Sequence, residues 1–262
     1  MRKSLLVMKA EIKKQQQNDY HSYFVYFSLL VWPILGFWEI YYTYRPFEAQ
    51  GRELLAFLGT GFMAYTCFWS MVQNAWSMSN QERKNGTLEI AFLTPANRLA
   101  MVYGKALGAL LQEVWMFCCF CIFVLFYTKT LRWDNLALLP LFLMLLLAAS
   151  TVWGGMLNAV FLFSRDASIL MDLFDAPMTL FAGTRIPVSC FPQWAKVISL
   201  FFPLTYCLNM IRFILGLQKQ DNDVFVSLAG LIICLAVMLF ITKYLLDKVE
   251  KHNRETGELQ FY

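Results

Sequence analysis

The sequence predicts an all-α membrane protein that crosses the bilayer about six times, and three observations predict it. Hydrophobic residues make up 58% of the 262 residues and charged residues only 15%, whereas a soluble domain carries about a quarter charged. Apolar runs recur along almost the whole chain, as at 136–147 and 228–235. These runs are continuous, unlike the alternating segments of roughly ten residues that mark a barrel. In lipid every backbone N–H and C=O needs an internal partner, so continuous apolar spans are helices.

The N-terminal 19 residues form a candidate amphipathic helix. Leu5, Met8 and Ile12 recur at helical spacing, with Arg2, Lys3, Lys9, Lys13 and Lys14 on the polar side. Such a helix lies along an anionic inner leaflet; the alternative is a frayed basic tail. The polar start and the lack of a short apolar core with a small-residue cleavage site argue against a cleavable signal.

Taking about 20 residues per crossing, the spans fall at 22–42, 54–76, 106–127, 136–163, 169–181 (extended to about 186) and 224–246. The fourth is long enough to tilt, and the fifth is short and holds Asp172, Asp175 and Pro177. With the N-terminus inside, 14 lysines and arginines fall on the cytoplasmic side and 8 outside. That asymmetry predicts N-in, C-in.

Between spans two and three, residues 77–100 read SMSNQERKNGTLEIAFLTPANRLA. Asn85-Gly86 is a turn signal, and Thr87 can cap a short helix that opens Leu88-Glu89-Ile90. Leu88, Phe92 and Leu93 share one face, and Thr94-Pro95 ends the helix because the residue before proline leaves the α region. A plain connector needs only a few polar residues. This one offers an apolar face and the charges of Glu82, Arg83 and Lys84, where a soluble partner can dock; the alternative is a helix lying passively on the bilayer.

After span five, residues 187–222 contain Pro187, Pro192 and Pro203 among apolar side chains. The stretch is too broken for a full span and too apolar for an open loop, so short re-entrant helices are expected. Arg185 and Arg212 are expected to snorkel to the outer headgroups. Among polar groups in the spans, Glu39 reaches an interface, and Glu113 lies two turns beyond Lys105, facing a partner helix or a polar cavity. Gly104 and Gly108, and the stripe Thr151, Gly155 and Ala159, allow close helix approach.

Several chemistries find little support. The net charge of +4 gives no reason to expect nucleic acid binding, and both histidines, His21 and His252, lie in polar flanks. Cys118, Cys119 and Cys121 read as small buried hydrophobes rather than a redox or metal site. A disulfide between Cys190 and Cys207 is open. No catalytic or metal-binding set is expected. The chain lacks G-x-x-x-x-G-K-[ST], so it does not cradle nucleotide phosphates in the P-loop manner.

Glu82, Arg83, Gly86, Thr87, Leu88, Glu89, Leu93, Thr94, Pro95 and Arg98, with the following Gly104-Lys105, resemble the cytoplasmic signature of ABC-2 type transporter permeases. Gly183, Pro187, Phe191-Pro192-x-Trp194, Pro203-x-Thr205-Tyr206 and Arg212 resemble the family's segment after span five. The resemblance covers nearly the whole chain and implies one permease domain over 1–262, in the plasma or inner membrane of a bacterium. It implies a second permease chain, identical or homologous, and two cytoplasmic ABC ATPase subunits that handle ATP and Mg, with no cofactor on this chain. Residues 77–100 would then be the coupling helix, with Glu82, Arg83, Gly86, Thr87, Leu88, Glu89, Phe92, Thr94 and Pro95 facing the ATPase. The cargo implied is an amphipathic molecule (drug-like, lipid-like or peptide) moved out of the cell. Candidates for its path are Phe62, Tyr65 and Trp69 on span two, Glu113, and Phe174 and Met178 on span five. The competing readings are an intramembrane lipid-modifying enzyme, which would need a nucleophile with its base or a metal set, and a self-sufficient secondary transporter, which would show an internal repeat.

Overall fold

A computed structural model describes residues 2–20, 23–45, 52–87, 90, 94, 96–127, 138–161, 167–217 and 224–256. Among the described residues the chain is helical with no strand. The helices are α1 (Arg2–Tyr20), α2 (Tyr23–Tyr44), α3 (Arg52–Lys84), α4 (Arg98–Gly108), α5 (Leu110–Tyr127) and α6 (Leu139–Phe161). They continue as α7 (Ala167–Phe181), α8 (Gln193–Ser199), α9 (Pro203–Ile214) and α10 (Val224–Thr256), with a 3-10 turn at Val188–Cys190.

Among the described residues α6 and the Val224–Lys248 part of α10 are each long and apolar enough to cross a bilayer. The short helices α8 and α9 meet at 96° and together form a bent pair of sufficient length. This bend falls where the prolines of 187–222 predict broken helices, because Pro203 starts α9 and has no N–H to continue α8. α2, α3, α5 and α7 lie on the remaining expected spans. At 33 residues each, α3 and α10 run about 50 Å, well past a hydrocarbon core of about 30 Å.

Two boundaries differ from expectation. The stretch expected to open span three at 106 divides at Ala109. Its first part is α4, an amphipathic helix whose Lys105 is buried against α3 rather than a membrane-crossing turn. Span five does not extend to 186, since α7 ends at Phe181 and Gly183 takes a φ of +81°.

The freed carbonyls beyond α7 explain a second difference. Arg212, expected to snorkel outward, is fully buried. It donates to the carbonyls of Gly183 (2.6 Å), Thr184 (2.9 Å) and Phe57 (3.2 Å). Its guanidinium lies 3.5 Å from the centroid of the Phe57 ring. A five-donor planar fork suits three carbonyls at once, so one side chain ties α9 to α3 and to the end of α7. Gly61 makes the approach possible, because a Cβ there would sit 1.9 Å from the Thr184 carbonyl oxygen. Arg185, by contrast, is exposed.

The core lies between α3, α6, α9 and α10, with Phe68, Leu143, Trp153, Leu157, Leu208 and Leu231 all fully buried. Trp153 stands edge-on to Phe174, Phe201 and Phe202. Lipid is as apolar as these side chains, so close packing rather than water exclusion holds the helices together. The expected stripe on α6 works this way: Tyr103 of α4 fills the space over Gly155, and its hydroxyl meets Thr242 of α10 at 3.1 Å. Phe225, Ile233 and Phe240 on α10 remain exposed, as a lipid-facing surface would be. All seven cysteines are free, and Cys207 is buried while Cys190 is exposed, so the open disulfide between them is not formed.

The N-terminal helix is docked rather than lying free on lipid. Its Met8 and Glu11 pack over Gly104, and its Ile12 and Gln15 over Gly108. The G-x-x-x-G pair thus receives α1, where a Cβ at Gly108 would come within 2.8 Å of the Gln15 Cβ. Leu5 and Leu6 stay exposed. Overpacking a tight contact costs about 1–3 kcal/mol. Gly108→Leu should therefore release α1, read as faster limited proteolysis within residues 2–20; an unchanged cleavage pattern would refute the docking.

Candidate functional site

α3 continues beyond the apolar residues that end near Trp76, carrying Ser79, Glu82, Arg83 and Lys84 with it. Because Glu82 is one helical turn beyond Ser79, both reach the same neighbour, Lys105 of α4. Lys105 is 3% exposed and donates to Glu82 and, at 3.2 Å, to the Ser79 hydroxyl. The second Glu82 oxygen accepts from Lys14 of α1. One carboxylate therefore joins α1, α3 and α4. Burial pushes the Glu82 carboxyl up, but the two ammonium groups outweigh it and hold it below its ordinary value of 4.5. Glu11 lies nearby, and burial pushes its carboxyl up against the opposing pull of Lys105.

The platform carries the segment read as a docking element. α3 ends in the expected turn: Gly86 has a φ of +67°, and its N–H reaches the Arg83 carbonyl at 3.1 Å. A glycine in the left-handed region is the usual helix stop. Arg83 donates to the Phe161 carbonyl at the end of α6 (2.8 Å). The Thr87 hydroxyl donates back to the Glu82 carbonyl at 3.2 Å, helping to close α3 in addition to any cap it makes forward. Thr87, Ile90 and Thr94 are exposed. Leu88, Glu89, Phe92, Leu93 and Pro95 lie outside the described residues. Asn97, which the sequence reading passed over, caps α4 by accepting from Ala100 N–H at 3.4 Å; an asparagine just before a helix was the available signal. Within the set expected to face the ATPase, the Glu82 side chain is turned inward and serves the platform, and half-buried Arg83 is bonded to the end of α6.

Of the residues expected on a substrate path, Glu113 alone lines a half-open pocket of about 370 Å³ between α2, α3 and α5. Its carboxylate accepts from Ser70 and from the Asn74 side-chain amide at 3.0 Å. Ser70 and Asn74 stand one turn apart on α3, a polar pair in an apolar helix that the sequence displays but the reading did not use. The other walls include Phe27 and Trp32 of α2 and Gln73 of α3. Trp69 and Met178 are buried in the core, with Phe62, Tyr65 and Phe174 packed against it. Tyr65 donates to Asp175, joining α3 to α7, while Asp172 is exposed.

A carboxyl whose folded pKa is lowered adds stability above its unfolded value and loses it as pH falls through the folded one. Wild type should therefore lose stability below about pH 4.5 as Glu82 protonates. Glu82→Gln leaves Lys105 buried without its counter-charge and should cost about 3 kcal/mol near neutral pH. Thermal unfolding across this range checks both, and a gap between the two proteins that does not narrow in acid would contradict the assignment.

Among the curated proteins none matches the chain. The model of the ABC-2 type transporter family matches residues 4–215. That stretch runs from α1 through α9 and takes in the three-helix platform, the segment between α3 and α4, and the bent pair. The chain is thus a membrane protein that belongs to the ABC-2 type transporter family.

Proposed function

We propose that this chain is the permease half of an ATP-driven exporter, moving an amphipathic molecule outward while separate ATPase subunits hydrolyse ATP. Membership of the family makes it a permease subunit that associates with ABC ATPases. The observation that carries the mechanism is the mounting of residues 85–97, which leave one rigid helix and enter another with both ends tied. Glu82, Lys105 and Lys14 bind the base together, and Arg83 links it to α6. A push at this base is then transmitted to α3 and α6 as rigid bodies. Such a lever biases a two-state arrangement of the spans, as nucleotide closes and opens the ATPase pair.

Six crossings with both termini inside, a second permease chain and two ATPase subunits complete the proposal. The exposed apolar faces of α2 and α10 supply contact with lipid or a second copy. The 96° bend between α8 and α9 suits a hairpin that dips into the outer leaflet and returns. Nothing among the described residues favours an enzyme reading: Glu113 of α5 is bonded to Ser70 and Asn74, and Asp175 of α7 to Tyr65.

Two experiments test this reading. Leu88→Ala with Glu89→Ala should lower recovery of the ATPase with the permease and reduce turnover several-fold, with membrane insertion intact; unchanged recovery and turnover would argue against a coupling role. For orientation, exposed Cys190 should react with a membrane-impermeant maleimide added outside cells, and Cys190→Ser should abolish that signal. Reaction only from inverted vesicles would reverse the topology.

A further inference from the structure

The cavity between α2, α3 and α5 holds one ionisable side chain among its lining residues, Glu113, which is 2% exposed. Placing a carboxylate in a hydrocarbon environment is costly unless something offsets its charge. Ser70 and Asn74 supply neutral dipoles to its two oxygens, not a positive charge. Among the described residues the ion pairs are Lys14–Glu82 and Lys105–Glu82, so neither includes Glu113. The carboxyl group is thus held by two hydrogen bonds at the margin of the pocket and lacks a counter-ion among the described side chains.

The other side of the pocket is lined by exposed aromatic side chains of α2. Phe24, Phe27, Ser28 and Val31 fall on one face of α2 at helical spacing, with Trp32 adjoining. Trp115 of α5 donates to the Leu29 carbonyl at 2.8 Å and fixes the two helices against each other. Aromatic faces attract cations through their ring quadrupoles while offering an apolar surface to a hydrocarbon body. A volume of about 370 Å³ falls in the range that accepts a small drug-sized molecule.

We infer that this cavity is a binding site for an amphipathic organic cation, with its positive centre near Glu113 and its apolar body against Phe27 and Trp32. The inference rests on the transport reading and narrows it, since it names a cation as the cargo class. The positive centre can belong to a free amphiphile or to the ammonium headgroup of a lipid; the electrostatics are shared. The cavity lies beside the first turns of α2 and α5, in the half of the bilayer that faces the cytoplasm if the N-terminus is inside. Cargo would therefore be loaded from the inner leaflet.

The test uses the full chain in phosphatidylglycerol nanodiscs, with tetraphenylphosphonium and tetraphenylborate, ions of similar shape and opposite charge, and empty nanodiscs as the blank. Saturable phosphonium binding is expected, with no saturable borate binding. Glu113→Gln should weaken phosphonium binding by at least about tenfold, and Trp32→Ala, outside the Glu113 hydrogen bonds, by roughly threefold. Including phosphatidylethanolamine separates the sources: competition with the phosphonium marks a lipid amine as occupant, and unchanged binding marks a free amphiphile. Equal binding of both ions, no saturable phosphonium binding, or full affinity in well-folded Glu113→Gln would each overturn the assignment. Recovery of the ATPase with the wild-type chain is measured alongside. If it persists when charge selectivity is absent, only the cargo class falls; if it fails, the transport reading falls with it.

Discussion

One buried carboxylate governs the geometry of the end of the bundle where α1, α3 and α4 meet. Glu82 lies at the end of a 33-residue helix and accepts from lysines on two other helices. A carboxylate with so little access to water needs a counter-charge, and buried Lys105 supplies it; removing either of that pair leaves an uncompensated ion. The half-exposed Lys14 adds the tie from α1. The segment proposed to couple to the ATPase leaves α3 just beyond this clasp. The G-x-x-x-G face of α4 adds shape to charge, since Gly104 and Gly108 let α1 lie close enough for Lys14 to reach Glu82.

At the other end of α3 the same logic is built with neutral acceptors. Arg212 brings its charge to three backbone carbonyls and an aromatic face. Those carbonyls are available because α7 stops at Phe181 and because Gly61 leaves room for the chain that follows. α3 is thus anchored by an anion at one end and receives a cation at the other, and the apolar core of α6, α9 and α10 packs along the length between them. In lipid, where apolar contact alone favours no particular partner, such polar anchors and close small-residue contacts decide which faces meet.

Glu113 belongs to a third arrangement. Its hydrogen bonds with Ser70 and Asn74 fix its position, and α2 lines the half-open pocket beside it with exposed aromatic side chains. Glu82 and Glu113 show how burial alone fails to define a role. Both are nearly inaccessible, but the first is consumed by internal cations while the second lies at the margin of a pocket.

The sequence alone determined the class of molecule, because continuous apolar runs in lipid have helices as their outcome. It located the Asn85-Gly86 turn, where a left-handed glycine must end α3, and the proline-broken stretch that becomes α8 and α9. It also marked Gly104 and Gly108 as a contact face, though not α1 as the helix received there. Glu82, Lys105 and Lys14 are separated by tens of residues, so no local pattern could reveal that they meet, and Glu82 read as an outward-facing charge. Arg212 read as a snorkelling residue for the same reason: its acceptors exist only once α7 has ended and folded back toward α3. Periodicity reports which residues share a helix face. Which face each helix turns toward its neighbours is set by packing across the bundle, and that alone made one glutamate a clasp and another the wall of a cavity.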